Sequence, residues 1–174
     1  MRYLRLINII KRLVVSIILV TLGTQKQQFT RLLDYIENSK IDDEIIVQAG
    51  HTEYKSKKMK IFDFISYDEM KKYVCDADII ITHGGTGSVI DPLKVGKKVI
   101  ACARKSEYGE HVDDHQKELV NIFSDEGYIL KLDENVNLDE LINECKAFKP
   151  KKYVSNTNKF IRMLRKEIDS ELYH

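Results

Sequence analysis

Residues 79–116 read IIITHGGTGSVIDPLKVGKKVIACARKSEYGEHVDDHQ, and the order of residue types in this stretch decides the fold. Ile79–Ile81 is a short apolar run of β-branched residues, followed closely by Gly84, Gly85 and Gly87. Such a run fills a buried strand, and the glycines let the chain turn sharply out of it into a helix. A turn of this kind exposes backbone N–H groups at a helix N-terminus, where partial positive charge and free donors suit a phosphate or sugar oxygens. The stretch therefore points to a nucleotide-type ligand. Asp91, about one helical turn beyond Gly87, is placed to accept hydrogen bonds from ribose hydroxyls. Past another strand, Glu110–Gln116 gathers acids, two histidines and an amide.

Outward from this stretch, strands and helices alternate. Val14–Val20 reads as the first strand and TLGTQKQQ as its loop, a second anion-friendly turn leading to a helix with Phe29, Leu32, Leu33 and Ile36 at helical spacing. Glu44–Ala49 is the second strand, His51–Lys60 a polar loop with lysines at 55, 57, 58 and 60, and Lys60–Ile65 the third strand. Ser66 or Asp68 caps a helix that buries Met70, Tyr73, Val74 and Ala77. Gly96 ends the glycine-turn helix and Lys98–Cys102 is a buried strand. Asp113 or Asp114 then caps a helix carrying Leu119, Val120 and Phe123, closed by Gly127. Tyr128–Leu130 is a last short strand, Asn137–Phe148 a helix, and Ser155–Leu172 a final helix beyond Pro150, with Ile161, Leu164, Ile168 and Leu172 on one stripe. The alternation implies an α/β fold: a doubly wound, mostly parallel, Rossmann-like sheet with helices on both faces and ligands at the carboxyl ends of its strands.

Composition narrows the function classes. The 174 residues fit one domain, and 28 Lys+Arg against 27 Asp+Glu leave a net charge of +1, which supplies no electrostatic drive to bind nucleic acid. Cys75, Cys102 and Cys145 are odd in number and form no CxxC pair, favouring reduced thiols in a cytosolic protein over a disulfide framework or zinc site. The apolar stretch Leu13–Leu22 stops at Gly23, whereas a membrane span needs ~20 residues, so it reads as a buried strand. Residues 1–12, MRYLRLINIIKR, carry four basic residues. They form an extension outside the 13–174 domain, read either as a basic amphipathic segment on a membrane surface or as a stretch with no role in the fold. No small-residue cleavage site marks them as a signal peptide.

Three segments carry a resemblance: VTLGTQ at 20–25, DFISYDEM with DADIIITHGGTGS within 63–88, and YGEHVDDHQ at 108–116. With them the chain resembles the donor-binding half of GT-B glycosyltransferases of family 28. It looks more closely like the PssE/EpsF-type bacterial exopolysaccharide transferases, and like the soluble catalytic subunit of the eukaryotic dolichol-linked GlcNAc transferase. The resemblance implies that Gly23, Thr24 and Gln25 face the nucleotide diphosphate, and that Phe64 and Ile65 flank uracil, with the Ile65 backbone reading the base. It implies further that the N–H groups of Gly84, Gly85, Thr86, Gly87 and Ser88 hold the diphosphate and that Asp91 holds the ribose. Many relatives have the longer Glu at that last position. His115 and Gln116 match residues on the donor sugar, and Glu110 is a candidate for sugar or partner contact.

The implied activity is UDP-sugar-dependent, metal-independent, inverting transfer of a hexose, with β-1,4 galactose as the first expectation from YGEHVDDHQ. The acceptor is a polyprenyl-diphosphate-linked saccharide in capsule or exopolysaccharide synthesis. Such a displacement needs a stabilised leaving diphosphate and a general base on the acceptor hydroxyl. His83 and His115 are this chain's catalytic candidates. The base itself is expected on a membrane-associated, acceptor-binding partner subunit that holds the chain at the cytoplasmic face of the plasma membrane. No cofactor is implied beyond the UDP-sugar donor. The spacing of His111 and His115 with Asp113 and Asp114 between them admits a metal site, but two histidines without a further ligand pattern weigh against it. The alternative is a non-catalytic nucleotide-sugar-binding subunit that positions another transferase. An epimerase of the same fold would need a second domain within its site.

Overall fold

The structure, a computed structural model, describes residues 16–155. Six strands form one sheet in the order β3-β2-β1-β4-β5-β6. They are β1 (Ile17–Thr21), β2 (Glu44–Gln48), β3 (Met59–Phe62), β4 (Ile79–His83), β5 (Lys98–Cys102) and β6 (Leu130–Lys131). Every pairing is parallel, with Leu19 opposite Ile46 on one side and Ile80 on the other. Sheets buried on both faces read as continuous apolar runs, which is why β1, β4 and β5 are so rich in Ile, Leu and Val. The helices are α1 (Thr30–Glu37), α2 (Tyr67–Asp76), α3 (Thr86–Lys94), α4 (His115–Asp125) and α5 (Leu138–Ala147).

Because side chains alternate along a strand, the sheet has two cores. Ile18, Val20, Ile45, Val47, Ile79 and Ile81 pack with Phe29, Leu32, Leu33 and Ile36 of the α1 region and with Leu138, Leu141, Ile142 and Cys145 of α5. On the other face, Leu19, Ile46 and Ile80 meet Met70, Tyr73 and Val74 of α2. Val99 and Ala101 meet Val89 and Leu93 of α3 and Val120 of α4 on that face. The doubly wound α/β expectation is thus met. Strand order reverses between β1 and β4, so the loops after these neighbouring strands open side by side at the carboxyl edge, where such sheets take their ligands.

Several local expectations change. The third strand stops at Phe62, since the Asp63 carbonyl leaves the ladder to accept from Gly50 N (2.7 Å) and Gln48 Nε2 (3.1 Å). The last strand is Leu130–Lys131 instead of Tyr128–Leu130. Tyr128 N closes the α4 end onto the Phe123 carbonyl (2.9 Å), and its ring packs with Phe123 and Tyr153. α2 begins with the expected Ser66 cap, reinforced by Glu69 reaching back, but Met70, Tyr73 and Val74 are only half-buried. The lysine loop is not solely a solvated surface: Lys58 Nζ donates to the Ile36 and Ser39 carbonyls at 2.9 and 2.7 Å. The expectations for residues 1–12 and for the final helix beyond Ser155 lie outside the described residues.

Candidate functional site

The site begins beneath the surface. Thr21 and Thr82 face each other across β1 and β4 with hydroxyls 2.7 Å apart. His83, which ends β4, is 7% exposed. Its ring fills the space under both turns: a Cβ on Gly23 would lie 2.6 Å from His83 Cε1, and one on Gly85 would overlap Nε2. Glycine at these two positions therefore answers to the histidine between them. Gly23 also has φ +77°, in the left-handed region. Burial, with the nearby positive charge of Arg104, lowers the His83 pKa to about 4, and its Nδ1 lies 3.4 Å from the Thr21 carbonyl. The buried ring thus spaces the two turns.

Above His83 the two turns differ in how their polar groups are used. Gly84 N donates to Gln116 Oε1 (3.1 Å), and a Cβ on Gly84 would lie 2.8 Å from the Gln116 backbone oxygen. Gly85 is the N-cap of α3 and no side chain caps this end. The N–H groups of Thr86, Gly87 and Ser88 thus have no partner within the helix, while Val89 N returns to the Gly85 carbonyl at 3.1 Å. Nothing lies within 4 Å of a Cβ built on Gly87. One turn further, Asp91 is exposed and paired with Lys94 at 2.9 Å. On the first turn Thr24 and Gln25 are exposed, and Gln25 Nε2 lies 3.4 Å from His111 Nε2.

The loop from β5 to α4 closes the third side. Gln116, in the first turn of α4, is buried, and its Oε1 accepts from Arg104 N (3.2 Å) as well as from Gly84 N. Half of this amide is therefore committed to joining two loops, and the sugar contact expected of it falls to Nε2. Glu110 is buried, 4% exposed. Its oxygens accept from Arg31 Nε (2.9 Å), Arg31 Nη2 (2.7 Å) and Lys105 N (3.0 Å). These three bonds hold the loop. His115 opens α4 with a side chain 81% exposed beside Asp113 and Glu118. Phe64 and Ile65 follow β3 at the far end of the same edge, Phe64 half-exposed with its ring edge-on to His51. Phe64 borders a cleft lined by Gly50, His51, Tyr54 and Lys55.

Two residues of this site were not singled out from the sequence. Arg104 is fully buried, donating to the carbonyls of Leu22 (2.8 Å), Gln27 (2.8 Å) and Glu110 (3.0 Å), with its guanidinium 4.8 Å from the Phe29 ring. Burial lowers its pKa to about 10, which leaves it charged at neutral pH. Arg31 reaches across from α1 to Glu110 and to the Ala103 carbonyl (2.8 Å). Their one signal in the sequence is a charged residue set among apolar core positions. Among the described residues no three His, Cys, Asp or Glu side chains gather as metal ligands.

Two adjacent glycine turns and free helix N-terminal donors, with a buried guanidinium behind them, form a cradle suited to a small, highly anionic group. The chain is 33% identical over 73 residues to the UDP-N-acetylglucosamine transferase subunit ALG13 of Saccharomyces cerevisiae, an alignment covering 41% of this chain and 34% of that protein. It thus spans about a third of that relative's length. The solution structure of ALG13 aligns over 86% of this chain and 94% of its own with a TM-score of 0.56 at 21% identity. The Acinetobacter baumannii MurG structure aligns over 88% of this chain and 50% of its own at 0.57 and 16%. At these identities the two structures speak for the fold. The likenesses extend to the transferase subunit and not to the narrower exopolysaccharide subgroup. Residues 17–171 match the glycosyltransferase family 28 C-terminal domain, and the chain belongs to that family.

Proposed function

We propose that this chain is the donor-binding subunit of an inverting, UDP-sugar-dependent glycosyltransferase that extends a lipid-linked saccharide. The observation that carries the reading is the uncapped N-terminus of α3 beside the Gly23 turn at the β1/β4 switch point. In the reaction an acceptor hydroxyl attacks the anomeric carbon, its proton passes to a base, and the bond to the diphosphate oxygen breaks with inversion. Negative charge grows on the departing UDP. Fixed N–H donors of Thr86, Gly87 and Ser88 stabilise that charge without reorganising, each such donor contributing ~3 kcal/mol to lowering the barrier. Asp91 turns from Lys94 to the ribose hydroxyls, and Phe64 and Ile65 receive the base.

The base and acceptor site belong to a membrane-associated partner in this reading. Its support is that the relatives are named as a subunit of a transferase. None of the described helices is long and apolar enough to cross a membrane, so the reading places the chain at the cytoplasmic face through its partner. The donor sugar is a hexose. The relatives are named for GlcNAc, while YGEHVDDHQ favours galactose and a capsule or exopolysaccharide acceptor; one contact changes such a preference by 10–200-fold.

Calorimetric titration with UDP, UDP-GlcNAc, UDP-galactose and UDP-glucuronic acid, each with EDTA or magnesium, tests the reading. The expected result is UDP binding in EDTA, weakened at least tenfold in Asp91→Ala, with the tightest sugar naming the donor. Binding that requires magnesium overturns the metal-free site, and binding unchanged in Asp91→Ala overturns the ribose assignment. UDP-sugar binding without transfer by the complex reconstituted with its partner favours the non-catalytic alternative.

A further inference from the structure

Arg104 is the largest fully buried side chain among the described residues, and it sits behind the donor cradle, not in it. The three hydrogen bonds of its guanidinium go to neutral carbonyls, its Nε is buried without a partner, and the nearby carboxylates are held by other cations, Glu110 by Arg31 and Glu134 by Lys105 and Arg31. A charge kept out of water on such terms is costly unless something else answers it. Its surroundings show where it acts. It grips the Leu22 carbonyl next to Gly23, its own N–H shares Gln116 Oε1 with Gly84 N, and its charge reaches His83 between the two turns.

The peptide bonds add direction. Each is trans, so a carbonyl drawn to the guanidinium turns the next residue's N–H the opposite way. By holding the carbonyls of Leu22, Gln27 and Glu110, Arg104 aims the N–H groups of Gly23, Gln28 and His111 away from itself, two of them in the loop that faces the α3 turn.

We propose that Arg104 is the fixed counter-charge of the donor's diphosphate, a positioning residue that acts through the turns it carries and does not touch the ligand. The proposal rests on the donor-site reading above. It replaces an exposed cation or metal with a charge whose field is screened little by salt.

The test compares UDP with uridine, which shares base and ribose but carries no charge, in the wild type, Arg104→Gln and Arg104→Lys, with thermal melts to check folding. Arg104→Gln weakens UDP on the order of tenfold or more while uridine changes less than twofold, and Arg104→Lys retains most of the UDP affinity. Parallel loss of UDP and uridine in Arg104→Gln reduces Arg104 to a scaffold and overturns the proposal, as does unchanged UDP affinity. Should Arg104→Gln not fold, the wild type decides: the UDP-to-uridine affinity ratio falls less than threefold between 50 and 500 mM salt for a buried charge, and a collapse of that ratio assigns the attraction to exposed lysines instead. A wild type that binds uridine as tightly as UDP also ends the proposal while leaving a nucleoside site intact. Binding of neither ligand overturns the donor-site reading itself.

Discussion

At the scale of single residues, His83 and Glu110 decide how the site answers to acid and to mutation. The folded protein holds His83 neutral down to about pH 4, whereas the unfolded chain protonates it near 6.5. Between these values the unfolded state binds the extra proton, so stability contributed by the neutral ring is complete above pH 6.5 and drains away toward pH 4, by up to about 3 kcal/mol. Urea titrations at pH 7, 5.5 and 4.5 are expected to show a steeper acid loss in the wild type than in His83→Gln; equal slopes in the two proteins would refute the buried-neutral assignment. Glu110 presents the opposite case, a carboxylate whose removal strands Arg31. Glu110→Gln is expected to cost about 3 kcal/mol in the same titration at pH 7, and a loss below 1 kcal/mol would show the pair to be water-exposed in solution.

At the scale of elements, the α3 turn separates glycines that the fold needs from one that a ligand needs. A methyl on Gly85 has to displace the His83 ring, so Gly85→Ala is expected to destabilise by about 1–3 kcal/mol. Gly87 meets no protein atom, and in the first turn of a helix an alanine there adds up to about 1 kcal/mol of stability, or roughly 2–4 °C in Tm. In the proposed donor site the same methyl stands where the phosphate approaches Thr86–Ser88. Gly87→Ala is accordingly expected to melt higher and bind UDP several-fold more weakly, measured by calorimetry beside the melts. A variant that is both more stable and fully competent for UDP would place the ligand elsewhere on the edge.

At the scale of the whole molecule, binding and folding are linked. A ligand that occupies only the folded state at a hundred times its Kd adds about 2.7 kcal/mol. Urea unfolding with saturating UDP is expected to shift its midpoint by that amount with an unchanged slope. No shift would mean that the loops after β1, β4 and β5 are not competent until a partner closes on them. The bonds of Arg104 to Leu22 and Gln27 and of Gln116 to Gly84 argue for the shift, since they already tie these three loops in the lone chain.

Much of this architecture was legible in the chain because it rests on local rules. Apolar runs spaced by helical patterns define β1, β2, β4 and β5 and the helices between them, and Gly84–Gly85 announces its turn. Residue type marks Ser66 or Asp68 as a cap and Gly23 as a turn, and the structure decides for Ser66. The boundaries of β3 and β6 were not legible, because Asp63 and Tyr128 leave the ladder for partners distant in sequence. Nor were the site's inner supports. A charged residue in a sequence reads as exposed by default, and only the approach of segments as far apart as Leu22, Gln27 and Glu110 supplies the carbonyls that make burial of Arg104 tolerable. Periodicity and glycine placement, which act within a few residues, determined the fold and the location of the cradle. The placement of Glu110 and Gln116 as ties between loops, of the His83 ring between the two turns and of Arg104 beneath them required the tertiary structure, because burial and hydrogen-bond partners are properties of chain segments brought together, not of the residues themselves.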